Sequence, residues 1–388
     1  MAHVRSLFFN GPLDAVENKA HTAYTLGRPS EVIWNITNRC NLRCSHCYLA
    51  ADGHALAGQL TDEETIDLVG QMARAGVPLL FLSGGEPMVR PNFWEILETA
   101  RSLGIRVTIS TNATLIDRGV ARRLKANGID WIATSLYGPE AFHDAMVCVP
   151  GTRARVIDAI RILRDEGVGV ALKTAVSRDT WPHIYDTIAL AKQLDCGLIY
   201  VCDLITAGRS GGGEDGRISA GRWRELADVI IDDVTDPASR FEYDIGAMPS
   251  FIAYAAERLL ERGHDIRRGL ERLKVVTACP VGKGHMNINS EGGVMPCQFA
   301  QDWTVGNIRD LGIAGATREL FKLAGARPKG RCGDCDYVEI CVGCRAKAWH
   351  AEGDPMAEDP TCMLDPEFAH GELLIRKALS CSAPGGCG

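Results

Sequence analysis

A chain of 388 residues exceeds the roughly 250–300 residues that a single hydrophobic core usually organises, so one large domain with a smaller appendage is expected. Hydrophobic residues make up 46% and charged residues 23%, no apolar run reaches the roughly 18 residues of a membrane span, and the first residues lack a signal peptide's apolar stretch. A net charge of -7 argues against a general nucleic-acid binder, and the expected location is the cytoplasm.

Residues 1–30 read as an N-terminal extension. From 31 to 235, short β-branched runs alternate with amphipathic ones. The strand-like pieces are EVIWNIT, VPLLFLS, IRVTIST, DWIATSL, GVALKTAV and GLIYVCDLI. Helix-like segments lie between them, among them TDEETIDLVGQMARAG, where Thr61 is a capping candidate with Glu64 in the first turn. Alternating strand and helix predict a parallel sheet, and six units predict a partial (β/α)6 TIM-like barrel rather than a closed eightfold one. In such folds the chemistry gathers at the carboxyl ends of the strands. The glycine-rich stretch TAGRSGGGEDGR after the sixth strand reads as a loop. A helical connector is expected over 236–278, and a small cysteine-rich domain over 279–366. A C-terminal helix and a Cys/Gly tail carrying Cys381 and Cys387 follow at 367–388.

Fifteen cysteines are a heavy load for a reducing compartment, where clustered cysteines point to metal. Cys148, Cys196 and Cys202 are scattered, and nothing spaces them as ligands, so they read as small buried hydrophobes. Cys40, Cys44 and Cys47 fall within eight positions directly after the first strand. Structural zinc wants four ligands, and no fourth cysteine is near. A [4Fe-4S] cluster held by three cysteines keeps one iron free for a ligand that is not protein.

The spacing Cys40-x3-Cys44-x2-Cys47 after a first strand resembles the signature of the radical S-adenosylmethionine (SAM) enzymes. The resemblance implies that SAM chelates the free iron. An electron then cleaves SAM to a 5'-deoxyadenosyl radical that takes hydrogen from substrate. It also implies roles for residues at the following strand ends. SGGEP, with Gly84, Gly85, Glu86 and Pro87, would receive the methionyl amino group. Ser110 and Asn112 follow the third strand, Ser135 would meet the ribose, Lys173 the carboxylate, and His46 would pack near the adenine.

The downstream cysteines resemble the SPASM extension of that superfamily, which carries two auxiliary [4Fe-4S] clusters, making three in all. By that resemblance Cys279, Cys297 and Cys344 hold the first, and Cys332, Cys335, Cys341 and Cys362 the second. Here only two residues separate Cys341 from Cys344, where three are usual in the family, and the first set is one ligand short. His285 is a candidate for the missing position, either as ligand or as a donor behind the ligands, and an open iron is the other option.

Within the superfamily, VIWNITNRCNLRCSHCY, LSGGEPMVRP and GRCGDCDYVEICVG are similar to the enzymes that modify tetrapyrrole side chains in heme and heme d1 synthesis. Arg90, Arg209, Arg217 and Lys283 are then candidate partners for substrate carboxylates. A maturase of a ribosomally made peptide or protein is the alternative. Either would draw electrons from a low-potential donor such as ferredoxin or flavodoxin.

Overall fold

Each of the six β-branched runs forms a strand, because alternate side chains find apolar partners on both faces of one sheet. The computed structural model describes residues 3–9, 23, 25–212, 216–275 and 278–364. The tail with Cys381 and Cys387 and nearly all of the expected C-terminal helix lie outside the described residues, as do parts of the N-terminal extension and of the glycine loop. The strands are β1 (Glu31–Asn35), β2 (Leu79–Ser83), β3 (Arg106–Thr111), β4 (Trp131–Ser135), β5 (Gly169–Val176) and β6 (Leu198–Asp203). All six pair in parallel, in sequence order.

The sheet is wider than six strands at both edges. β7 (Glu242–Gly246) adds in parallel to β6, inside the segment expected to be a helical connector. The sequence EYDIG hides this strand, since its glutamate and aspartate break the apolar signature of its neighbours. At the other edge β8 (His285–Ile288) pairs in parallel with β1 and is followed by the antiparallel β9 (Gly293–Met295) and β10 (Gly306–Asn307). The order is β10-β9-β8-β1-β2-β3-β4-β5-β6-β7, so the cysteine-rich segment continues the barrel sheet.

Helices cross between the strands and cover the sheet with their apolar faces. The helix Asp62–Arg74 starts on the expected signal: Thr61 Oγ1 accepts from the Glu64 amide, and the Glu64 carboxylate accepts from the Thr61 amide at 2.7 Å. The short helix Val4–Phe8 buries Val4, Leu7 and Phe8, and the amides of Arg5 and Ser6 donate to the Glu242 carboxylate of β7. Among the described residues no helix is long and apolar enough to cross a membrane.

One continuous apolar core runs from Trp34, Leu80 and Ile109 of the barrel to Ile308, Tyr337 and Met363 of the cysteine-rich segment. A buried ion pair adds a polar tie. Asp203, the last residue of β6, bonds Lys347 on the helix Arg345–Glu352 and accepts from Trp223 Nε1 at 2.8 Å. Lys347 also donates to Thr361 Oγ1 at 2.7 Å. Burial alone would strip its proton, but negative charge on Asp203, on the Cys344 sulfur and on Asp359 outweighs burial and holds the pKa of Lys347 above the usual lysine value.

Breaking this pair from one side leaves a charge stranded in the interior. Lys347→Ala is expected to destabilise the fold by about 3–5 kcal/mol. Asp203→Asn combined with Lys347→Met should recover most of that loss, because both charges leave together. Denaturant titration of the three proteins checks the expectation, and a Lys347→Ala midpoint equal to that of the unaltered chain would refute it.

Candidate active site

The loop after β1 is held from several sides, which fixes where its three sulfurs stand. The Cys40 amide donates to Asp52 O, and the amides of Arg43 and Ser45 donate to Val147 O and Met146 O at the end of the helix Glu140–Val147. Arg209, in the loop after β6, clamps the same turn: its amide donates to Cys47 O at 3.0 Å and its Nε to Cys44 O at 2.7 Å. The glycine loop therefore has a fixed part. A Cβ on Gly208 would lie 2.3 Å from Cys47 O, so the close approach demands glycine, and its φ of 58° is one that glycine adopts freely.

Cys40, Cys44 and Cys47 line one cavity of about 220 Å³ at the carboxyl ends of the strands. The Cys47 sulfur is close enough to disfavour ionisation of Cys40 and Cys44. Burial, aided by neighbouring thiols and by Glu86, pushes Cys40 up to about 11, and burial with the other two thiols pushes Cys44 up to about 12. The amide of Leu42 donates to Cys40 Sγ at 3.4 Å. Such thiols become thiolates only beside a strong positive charge, which is what iron brings.

The other expected residues surround this cavity with one division. Gly84 and Gly85 form its wall, and their missing side chains serve the loop: a Cβ on either would stand 2.4 Å from Thr37 O or Arg39 O. The amides of Gly85 and Glu86 donate to those same carbonyls. The Glu86 side chain lies behind the wall, fully buried, and accepts from Thr111 Oγ1 and from the amides of Met88 and Asn112. Burial raises its pKa to about 7 against these bonds and the Lys173 charge. Pro87 is buried at the start of the short turn Pro87–Val89. On the opposite side Lys173 Nζ donates to Ser110 Oγ at 2.6 Å, and both line the cavity together with Asn112 and Ser135. His46 bonds the Tyr137 hydroxyl at 2.8 Å, while His143 stacks on that ring at 5.7 Å. Burial lowers His46 to about 4, so it is neutral at physiological pH.

Several wall residues carry no motif. Cys202, expected to be an inert buried hydrophobe, lines the cavity beside Asp203, and Gln298 and Phe299 reach it from just after Cys297. Position at the end of β6 was the available sequence signal for Cys202; Gln298 and Phe299 had none. Of the four cations singled out for substrate, only Arg209 is here, on the same cavity as Lys173. Arg90 is a correction: it is 4% exposed and its guanidinium is spent on Asn92, Ile36 O, Leu60 O and Asp62. It braces the strand ends from below. Arg217 lines a separate groove with Arg178 and Arg222 beside Cys362, and Lys283 is half-buried near Cys279.

The remaining ligand-spaced cysteines fall into two groups. Cys279 disfavours ionisation of Cys297, both disfavour that of Cys344, and the three line a second cavity of about 170 Å³. Cys341 feels Cys362 and Cys335, and both Cys335 and Cys362 feel Cys332. Asp359 stands between the groups, accepting from the Cys344 amide at 2.6 Å while its own amide donates to Cys332 Sγ at 3.2 Å. Among the described residues no three metal-binding side chains are drawn to the spacing of a single ion.

Residues 34–205 match the family model described as the radical SAM superfamily, and residues 279–345 the model for an iron-sulfur cluster-binding domain, SPASM. The chain is 30% identical over 348 residues to the AdoMet-dependent heme synthase of Methanosarcina barkeri, covering 87% of this chain and 97% of that one. It is 25% identical to the PqqA peptide cyclase of Rhodopseudomonas palustris, covering 90% and 91%. The fold matches that of SuiB from Streptococcus suis with a TM-score of 0.68 at 18% identity, over 89% of this chain and 81% of that one. The chain therefore belongs to the radical SAM superfamily, as a SAM-binding iron-sulfur enzyme whose barrel is followed by a SPASM domain.

Proposed function

We propose that this enzyme takes hydrogen from a carboxylate-bearing side chain of a tetrapyrrole, in the cavity under the strand ends. The observation that carries the site is the gathering of Cys40, Cys44 and Cys47 with Lys173 and Arg209 around one space. The tetrapyrrole is supported by end-to-end similarity to a heme synthase. When bound, the reduced cluster and SAM together supply the hydrogen-abstracting radical of this superfamily.

The chain's own residues have separable tasks. Cys40, Cys44 and Cys47 would ligate three irons, and the Gly84–Gly85 backbone would meet the methionyl amino group. Lys173, held by Ser110, offers a cation to a carboxylate, while Ser135 and Asn112 offer hydrogen bonds to the ribose side. His46, kept neutral and fixed by Tyr137, is suited to pack against the adenine without adding charge. Glu86 and Pro87 act from behind: the Glu86 carboxylate fixes Thr111 and the Asn112 backbone, and so sets the shape of the wall. Phe299 and Gln298 close one side against water.

In the SPASM domain, Cys279, Cys297 and Cys344 would hold a first auxiliary cluster, and Cys332, Cys335, Cys341 and Cys362 a second, giving three [4Fe-4S] clusters. The boundaries proposed are 31–235 for the barrel, 236–278 for the connector and 279–366 for the SPASM domain. Electrons would come from a low-potential carrier such as ferredoxin or flavodoxin, in the reducing cytoplasm that suits so many thiols. Peptide maturation is the second reading, supported by similarity to a peptide cyclase.

Anaerobic reconstitution is expected to load roughly 12 irons per chain. Cys44→Ala should keep about eight and release no 5'-deoxyadenosine on reduction with SAM; an iron-free, colourless protein would overturn the assignment. Lys173→Met removes one charge-assisted bond and should weaken SAM binding by about 10- to 100-fold in equilibrium dialysis. Unchanged affinity would move Lys173 to substrate or to strand-end packing. Mass spectrometry after incubation with a propionate-bearing tetrapyrrole or with candidate precursor peptides separates the two substrate classes.

A further inference from the structure

The set Cys279, Cys297 and Cys344 is one protein ligand short of a closed [4Fe-4S] cluster. The cavity of about 170 Å³ that these sulfurs share is also lined by Asp244, His285 and Asn287. His285, the residue that sequence position favours, is already engaged: its Nε2 lies 2.6 Å from Glu31, its register partner on β1. Asn287 contributes a neutral amide, a weak ligand for iron beside an anion. Tyr200, on the same cavity wall, is bonded to Cys202, and burial keeps its phenol protonated.

Asp244 differs from all of these. It sits in the middle of β7, where aspartate is disfavoured, and is 4% exposed. Its Oδ2 is buried with no hydrogen-bond partner among the described residues. Glu31 and Glu242 add like charge around it, and His3 is the described side chain whose charge would oppose them. A carboxylate so placed is costly unless a cation meets it.

We infer that Asp244 supplies the fourth, oxygen ligand of the cluster held by Cys279, Cys297 and Cys344. The inference rests on the reading that this set holds a cluster. When the Fe–O bond forms, the carboxylic proton leaves to solvent and no electron moves. An oxygen ligand makes one corner of the cluster more labile than a thiolate would.

The test uses the full chain with Cys40, Cys44 and Cys47 replaced by alanine, so that only SPASM iron is seen. Reconstituted with iron and sulfide, this parent should hold about eight irons. On mild oxidation Asp244→Asn should lose its fourth iron several-fold faster than the parent and give a [3Fe-4S] signal in electron paramagnetic resonance. Asp244→Cys should lose it more slowly and shift the cluster's reduction potential down, and His285→Ala should behave as the parent. Parent labelled with 13C-carboxyl aspartate should show hyperfine coupling of that carbon to the cluster, a readout that needs no substitution at Asp244. Absence of the coupling, an Asp244→Asn protein indistinguishable from the parent, or iron loss following His285→Ala instead, overturns the inference. A parent with only about four irons, all at the other cysteine set, overturns the cluster reading itself.

Discussion

A buried thiol does not ionise without a positive partner, and the architecture is organised around that constraint. Cys40, Cys44, Cys297, Cys341 and Cys344 are all pushed well above the ordinary cysteine value by burial. Each therefore stands ready as a ligand and poor as a free nucleophile. What keeps such sulfurs in place before metal arrives is backbone. The amides of Leu42, Tyr337 and Asp359 point at Cys40, Cys335 and Cys332, and carbonyls of the three-cysteine turn are held by Arg209.

The same logic links the two halves of the molecule. β8 extends the barrel sheet next to β1, so the segment that places Cys279 and Cys297 is in register with the strand that places Cys40. On the far side Asp203 and Lys347 tie the end of β6 to the helix that follows Cys344. These two connections lie toward opposite ends of the parallel array. They bring Gln298 and Phe299 into the wall of the barrel's own cavity. The cysteine-rich segment is thus part of the active-site enclosure as well as a carrier of metal ligands.

Within that cavity polarity is divided. Glycine backbone lies on the β2 side with Glu86 behind it, hydroxyls and Lys173 on β3 to β5, and the aromatic pair His46–Tyr137 completes the wall. Carboxylate and cation are kept on separate faces, with Thr111 and Asn112 intervening. A zwitterionic amino acid with an aromatic base can be oriented by such a wall with few moving parts.

The sequence by itself determined the candidate chemistry-bearing groups and their order: three cysteines after a first strand, SGGEP after the second, and polar residues after the third to fifth. Local rules suffice there, since strand runs, the Thr61 capping box and ligand spacing are all short-range signals. Tertiary structure alone decided what depends on distant pairing. β7 hides behind two acidic residues, and β8 joins β1 across some 250 residues of chain. Arg90 reads in its motif as a partner for substrate carboxylates and is a buried brace, because Ile36 and Leu60 bring carbonyls to it. Cys202 became a wall residue and Asp244 a candidate ligand for the same reason: which face of a strand meets a cavity is set by the neighbouring strands, and those neighbours are remote in sequence.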